Sequence, residues 1–371
     1  MKHILLVTIS ILGVGVADNI DDIAGVDSTL KLVHVIFRHG DRTPDSLYPN
    51  DPYTEEDFYP FRIGHLTNNG KMTAYKIGTS LRKKYNKLLG DVYTPDILNA
   101  ISSHYPRAKA SLQAVLAGLY PPSDSLKWNK NLSWEPIPFD ALQADNNKMF
   151  VSFKLCPGTL NLLLQSATAM ASDPVFLKYK HFEPMLQEAT GMHDYPLLLI
   201  GTLVYSTLKA EDEAGLKLPS WTKDVYPEVL SEISAAFWKY TAAEGDMRIL
   251  SAGYLVSQIV NNTYTTINGE EDAKNRKIYL YSGHDYNVVA LLSVLENLVP
   301  HNPNYGAHII IEVHEFMGAY FLKFLHQNYE RSEPKTLFVP NCGYYCPLEL
   351  FVKLYAKYLD TNYMDELCGL N

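Results

Sequence analysis

Two hydrophobic rhythms alternate along the chain. Residues 30 to 37, Leu-Lys-Leu-Val-His-Val-Ile-Phe, form a nearly continuous β-branched apolar run that stops at Arg38-His39-Gly40, which predicts a buried strand feeding a loop. Ala74, Ile77, Leu81, Tyr85 and Leu88 then recur at helical spacing. So do Ala108, Leu112, Val115 and Leu119, ending before Pro121-Pro122, with a short strand expected near Ile97 to Ile101 between the two helices. Strand, helix, strand, helix is the alternation of an α/β fold.

The middle third changes to a mainly helical pattern. Asp173-Pro174 is a helix start, and Leu230, Ile233, Phe237, Tyr240 and Ile249, Ala252, Val256, Ile259 mark two helical faces. After the charged stretch Glu270 to Lys277 strands return at Ile278 to Tyr281, followed by a helix with Val288, Leu292 and Leu295. The alternating Ile309, Ile311, Val313 and the run Tyr320 to Leu325 close the pattern. The expectation is a discontinuous α/β core, residues 18–130 and 268–371, interrupted by a mainly helical insert subdomain, residues 131–267. No internal repeat, low-complexity run or Pro-rich linker separates the parts.

Charge narrows the partners. Lys and Arg total 32 against 41 Asp and Glu, a net charge of -9, so no basic footprint for nucleic acid exists and a membrane surface is not favoured. Lys2 and His3 precede the apolar stretch Ile4 to Val16, with small Gly15 and Ala17 at a cleavage position. Residues 1–17 are therefore expected to be a secretory signal peptide, too short for the ~20 apolar residues of a membrane span, and the protein to be secreted and extracellular.

Four cysteines, Cys156, Cys342, Cys346 and Cys368, are an even number in an oxidising destination, which predicts two disulfides. Spacing favours only the local staple Cys342 with Cys346. The rival, a four-cysteine zinc site, usually needs two close pairs. Asn131 (before Leu132, Ser133) and Asn261 (before Asn262, Thr263) stand in N-glycosylation sequons.

The sharpest chemistry lies in Arg38-His39-Gly40-Asp41-Arg42-Thr43-Pro44. Two guanidiniums flank an imidazole, Arg offers a planar donor fork matched to phosphate oxygens, and Gly40 permits close backbone approach. A solvated charged turn is the ordinary explanation of such a loop. The same grammar recurs, however, at Ser282-Gly283-His284-Asp285, after one strand and before a helix that Asp285 could simply cap. In a parallel sheet both strand ends open on one side, so His39 and His284 can face a common pocket.

The segment Leu32 to Pro44, with His284-Asp285 downstream, resembles the histidine acid phosphatases, the branch of the histidine phosphatase superfamily with an R-H-G-x-R-x-P signature. The resemblance runs from about residue 30 through Pro340-Asn341-Cys342-Gly343-Tyr344-Tyr345-Cys346-Pro347-Leu348. That stretch is similar to the Cys-rich corner of the animal secreted acid phosphatases, vertebrate prostatic and lysosomal types included. With Asp57-Phe58-Tyr59-Pro60 and Ser102-Ser103-His104-Tyr105 the chain is most similar to the acid phosphatases of hymenopteran venom.

The resemblance implies a central mixed sheet flanked by helices and a secreted acid phosphatase that hydrolyses small phosphate monoesters. His39 would be the nucleophile, forming a phosphohistidine that water then hydrolyses. Arg38, Arg42 and His284 would hold the equatorial oxygens, and Asp285 would protonate the leaving oxygen. Activity is then expected at acidic pH and to fall as Asp285 ionises. No metal or cofactor is called for, since guanidiniums supply the positive charge. The resemblance further implies the pairing Cys156 with Cys368 beside Cys342 with Cys346, a homodimer in some relatives, and venom among the extracellular destinations.

One departure stands out. Vertebrate members carry R-S-T-D-x-x-R, whereas this chain reads Ile101-Ser102-Ser103-His104-Tyr105-Pro106-Arg107. The first Arg is missing and Arg107 matches the second, so Arg107 or His104 is the candidate for a third phosphate contact. The alternative that this departure raises is a catalytically weak or inactive phosphatase-like binding protein or allergen. A phytase-type specificity for inositol polyphosphates is disfavoured by the acidic net charge and the low cysteine count.

Other constellations fail on spacing. Gly64 to Lys71 has five residues between its glycines and then Met72, unlike a P-loop, and no G-x-S-x-G, H-E-x-x-H or Cys-x5-Arg occurs. His308, Glu312 and His314 share one strand face and are expected to be structural rather than a metal site.

Overall fold

The computed structural model describes residues 26–369; the signal peptide expected at residues 1–17 lies outside them. Strand β1 (Leu30–Arg38) is buried from Leu32 onward, which is why its sequence reads as an unbroken apolar run rather than an alternating one. It pairs in parallel with β4 (Ile278–Gly283), Arg38 standing opposite Gly283, and β4 pairs in parallel with β2 (Leu98–Ser102). The short β3 (Asp140–Ala141) extends this parallel half. On the other side β5 (His308–Phe316), β6 (Ala319–Gln327) and β7 (Lys335–Leu337) run antiparallel, and β8 (Cys346–Pro347) pairs with β6. The sheet is mixed, in the order β3-β2-β4-β1-β5-β6-β7.

Helices cover both faces. Val33, Val35 and Phe37 of β1 pack on α1 (Asn68–Leu89) and α2 (Pro106–Leu119) through Ala74, Ile77, Leu81, Leu112, Val115 and Leu119, the residues whose helical spacing predicted those elements. Leu32 and Ile36 point to the opposite face. Helices α3 (Lys148–Leu155) through α8 follow in the middle third: α4 (Gly158–Ala171), α5 (Pro174–Tyr179), α6 (Glu183–Thr190), α7 (Leu197–Glu213) and α8 (Glu228–Trp238). The start expected at Asp173-Pro174 is that of α5, where the Asp173 carboxylate accepts from the Val175 amide at 2.9 Å.

Helices α5 to α8 enclose a separate apolar cluster, with Phe176, Leu186, Ile200, Val204, Leu208 and Ile233 buried in it and Tyr48 from the loop after β1 packed among them. The long α9 (Gly245–Ile267) belongs instead to the sheet, where Ala252, Leu255, Val256 and Ile259 lie against Leu32, Ile36 and α10 (Asp285–Val294). Two disulfides are present. Cys156–Cys368 fastens the end of α3 to the C-terminal α12 (Thr361–Cys368), and Cys342–Cys346 closes the turn before α11 (Leu348–Leu354). No helix among the described residues is long and apolar enough to cross a membrane.

Candidate active site

The parallel strands β2, β4 and β1 end together, and their C-terminal turns supply the site. Backbone bonds lock the junction: the His39 amide donates to the Gly283 carbonyl at 3.1 Å, and the Ser103 amide donates to the Ser282 carbonyl at 2.9 Å. Gly40 is required here by close approach, because a Cβ at that position would lie 2.1 Å from the carbonyl oxygen of Gly70 at the start of α1. The Gly40 amide donates to Ser111 Oγ on α2 at 3.0 Å, which fixes the turn that aims His39.

His39 is buried, and its Nδ1 lies 2.8 Å from the Gly40 carbonyl oxygen. A carbonyl can only accept, so Nδ1 carries the proton and the neutral ring keeps its lone pair on Nε2. Burial, followed by the charges of Arg107, Arg38, His284 and Arg42, holds the His39 pKa well below 6.5. An imidazole in this setting stays neutral, and therefore nucleophilic, in mildly acidic solution.

Around it stand the other expected residues. The His284 ring meets the His39 ring edge-on with centroids 5.7 Å apart, and its Nε2 is 2.9 Å from Ser103 Oγ. Burial, then the Arg107, Lys154 and Arg38 charges, push the His284 pKa well down too. Arg38 pairs with Asp285 (Nη2 to Oδ2, 3.0 Å), donates to the Pro303 carbonyl and lies 4.2 Å from the centre of the Tyr305 ring. Arg42 donates to the Thr43 carbonyl at 2.9 Å and to Ser206 Oγ of α7 at 2.8 Å. Asp285 is the first residue of α10 and accepts from the Tyr286 amide at 2.9 Å, but the cap position falls to His284, whose amide donates to Asn287 Oδ1 at 2.9 Å, so Asp285 does not cap the helix.

Arg107 comes into the same place. It begins α2 after the Pro106 that starts the helix, is buried, and forks onto Asp45 with Nη1 to Oδ1 at 2.9 Å and Nη2 to Oδ2 at 3.4 Å. Burial opposes ionisation of Asp45, but Arg107 and Arg42 outweigh it and hold that carboxyl below its ordinary range. A third guanidinium thus faces His39 although the first Arg of the vertebrate pattern is missing. His104 turns away, its Nδ1 2.6 Å from Asn147 Nδ2. The Nε atoms of Arg38, Arg42 and Arg107 are all buried with no partner within the protein. Arg38, Arg42 and Arg107 line one cavity with His39, and guanidiniums have the planar donor geometry that suits a polyoxygen anion.

Sequence reasoning missed several supporting groups. Asp45 sits in the signature loop itself and could have been suspected as a partner for an Arg. Ser206, on α7, and Tyr305, before β5, carry no local signal and reach the site only through the fold. The whole opens into a cavity of about 310 Å³ between the strand ends and helices α3, α4, α7 and α8.

Elsewhere, His314 Nδ1 is 2.9 Å from Thr29 Oγ1, Glu312 accepts from Tyr85 at 2.7 Å, and His308 Nδ1 donates to the Gly306 carbonyl at 2.9 Å. These groups serve the sheet. Asn131 and its sequon are exposed in the loop between Trp128 and Trp134; Asn261 is exposed on α9, but Thr263 of its sequon is buried against His34 Nε2 at 2.9 Å.

A mixed sheet with a histidine between two arginines at one strand end and a His-Asp pair at the neighbouring one defines a class, and the chain belongs to it: residues 29–174 match the histidine phosphatase superfamily (branch 2). Among named relatives, the venom acid phosphatase Acph-1 of Apis mellifera is 36% identical, with 92% of this chain and 88% of the relative covered. The prostatic acid phosphatase of Mus musculus is 31% identical (92% and 90% covered), and the lysosomal acid phosphatase of Homo sapiens 28% (91% and 80%). Solved structures with this fold include the phytase of Citrobacter braakii, with TM-score 0.67, 15% identity and 92% and 100% of the two chains covered. The apo phytase of Hafnia alvei gives TM-score 0.64 and 15% identity over 92% and 98%. At that identity the likeness is one of fold.

Proposed function

We propose that this protein is a metal-independent acid phosphatase in which His39 is the nucleophile and Asp285 the proton donor. The observation that carries the reading is the His39 tautomer. With Nδ1–H given to Gly40 O, the Nε2 lone pair faces the space bounded by Arg38, Arg42, Arg107 and His284. A phosphate monoester set there presents its phosphorus to Nε2. The guanidiniums take the equatorial oxygens and offset the charge that gathers on them as the bond to the leaving oxygen breaks. Asp285, as the acid, gives its proton to that oxygen and then, as carboxylate, accepts one from the water that attacks the phosphohistidine. Alcohol and inorganic phosphate leave, and the free enzyme is restored.

Kinship supports the chemistry, since the relatives named above are acid phosphatases. It also supports secretion, since one of them is a venom protein. The signal-peptide pattern, the two disulfides and the sequon in an exposed loop favour an extracellular destination. The test is hydrolysis of an aryl phosphate at acidic pH in the presence of a chelator, with labelled phosphate trapped on the protein. His39→Ala is expected to lose both turnover and label. Retention of either by a folded His39→Ala protein would refute the assignment.

A further inference from the structure

We propose that the cavity selects phosphate monoesters whose alcohol carries a bulky apolar portion, an aromatic ring or an alkyl chain, and that Phe153 and Leu203 set this preference; the inference rests on the phosphatase reading and specifies its substrate class. The leaving oxygen has to come within reach of Asp285, so the alcohol fills the space beside that carboxyl. There the next residue, Tyr286, packs its ring 4.6 Å from that of Phe153, and Phe153 keeps 37% of its surface open. From the insert, Leu203 on α7 faces the cavity one turn before Ser206, the partner of Arg42, and is 44% exposed. Phe237 and Trp238 at the end of α8 and Leu163 of α4 continue the wall. Trp238 spends its single polar group on Asn302 Oδ1 at 3.2 Å and offers the rest of the indole as apolar surface. Leu160, one helical turn from Leu163, and Leu164 are 63% and 64% exposed, which extends the apolar surface along α4.

Beyond the three guanidiniums the cavity is lined by two lysines: Lys209 lies 3.5 Å from Glu213, whereas Lys154 donates to the neutral Tyr105 hydroxyl at 2.8 Å and keeps its positive charge, so discrimination among alcohols rests on the apolar wall. A ring or chain on the alcohol would cover apolar side chains that now face water. Polar groups fix the phosphate and apolar walls receive the remainder, the usual division of labour in a small-molecule site.

The experiment compares methylphosphonate, 2-phenylethylphosphonate and octylphosphonate by calorimetry at acidic pH, and ethyl phosphate, 2-phenylethyl phosphate and inositol hexakisphosphate by kcat/KM, on the whole protein. The apolar member of each set is expected to be favoured about tenfold over the small one, from the area it buries. Phe153→Ser and Leu203→Asp are each expected to cut that ratio by about threefold or more. A ratio within about twofold of unity in the unaltered protein, an unchanged ratio in both folded variants, or a preference for inositol hexakisphosphate would overturn the inference. Because phosphonates are not hydrolysed, their affinity ratio reads the apolar wall independently of turnover. Failure to hydrolyse any ester alongside an intact phosphonate ratio would overturn the phosphatase reading alone.

Discussion

Arg107→Ala separates a binding role for this residue from a merely structural one. In the proposed site Arg107 donates to a phosphate oxygen, and hydrogen bonds to charged groups contribute about 1.5 to 3 kcal/mol. Losing that contact in the transition state lowers kcat/KM roughly 10- to 150-fold. A second effect has a distinct signature. Burial is the largest influence depressing the His39 pKa and remains in the variant, but Arg107 is the first of the charges acting in the same sense. Without it the His39 pKa rises part of the way back, a larger fraction of the ring is protonated at a given acidic pH, and the acid limb of the rate profile moves to higher pH. Arg107→Lys keeps a charge but loses the fork on Asp45, so it is expected to lower kcat/KM with a smaller movement of that limb. The Asp45 side chain is 44% exposed and water can take over its hydration, so Tm is expected to change little. The assay is kcat/KM for an aryl phosphate from about pH 3 to 7, with melting curves at each pH. An Arg107→Ala protein that melts normally, keeps kcat/KM within about threefold and shows an unmoved acid limb would refute the reasoning.

Three further outcomes are expected. Glu211 on α7 is buried beside Asp51, and burial and then the Asp51 charge push its pKa up to about 8; a raised carboxyl pKa gives stability that is full below the ordinary carboxyl range and lost as pH rises through about 8. Tm should therefore fall between mildly acidic and mildly alkaline pH, and Glu211→Gln should flatten that fall; an identical slope in the variant would dismiss the residue as its source. The chain-entropy relation gives about 5 kcal/mol for closing the 212-residue separation of Cys156–Cys368 and about 2 kcal/mol for the 4-residue separation of Cys342–Cys346, so denaturant midpoints should drop further when the first pair is replaced by alanines. Glycopeptide mapping of protein secreted from eukaryotic cells should find sugar at Asn131, in its exposed loop, and much less at Asn261, whose Thr263 is buried; the reverse occupancy would contradict this ordering.

Much of the site was legible because its core is local. Arg38, His39 and Arg42 fall within one turn, and His284-Asp285 within another, each announced by the buried strand before it. The third Arg was ambiguous in one dimension, since matching Arg107 to a pattern that lacks its first member says nothing about direction. Its burial against Asp45, and the turning of His104 toward Asn147, settle where each side chain points. Short edge strands such as β3, β7 and β8 escaped the hydrophobic pattern because two or three residues cannot establish a period. Tyr48 joining the apolar cluster of α5 to α8, and α9 packing on the sheet rather than in that cluster, were likewise invisible, because a helical face shows that it is buried but not against what.

By itself, then, the sequence determined the class of chemistry, the strands and helices with long periods, and the parity of the cysteines, all of which depend on neighbours along the chain. Tertiary structure decided what depends on neighbours in space. The proton on His39 Nδ1 is fixed by the Gly40 carbonyl, the seating of Arg42 by Ser206 from a helix 164 residues away, and the apolar wall beside Asp285 by α3, α7 and α8 meeting over the strand ends. Hydrogen bonds and van der Waals contacts act over a few ångströms, so they come into being only when folding has brought those segments together.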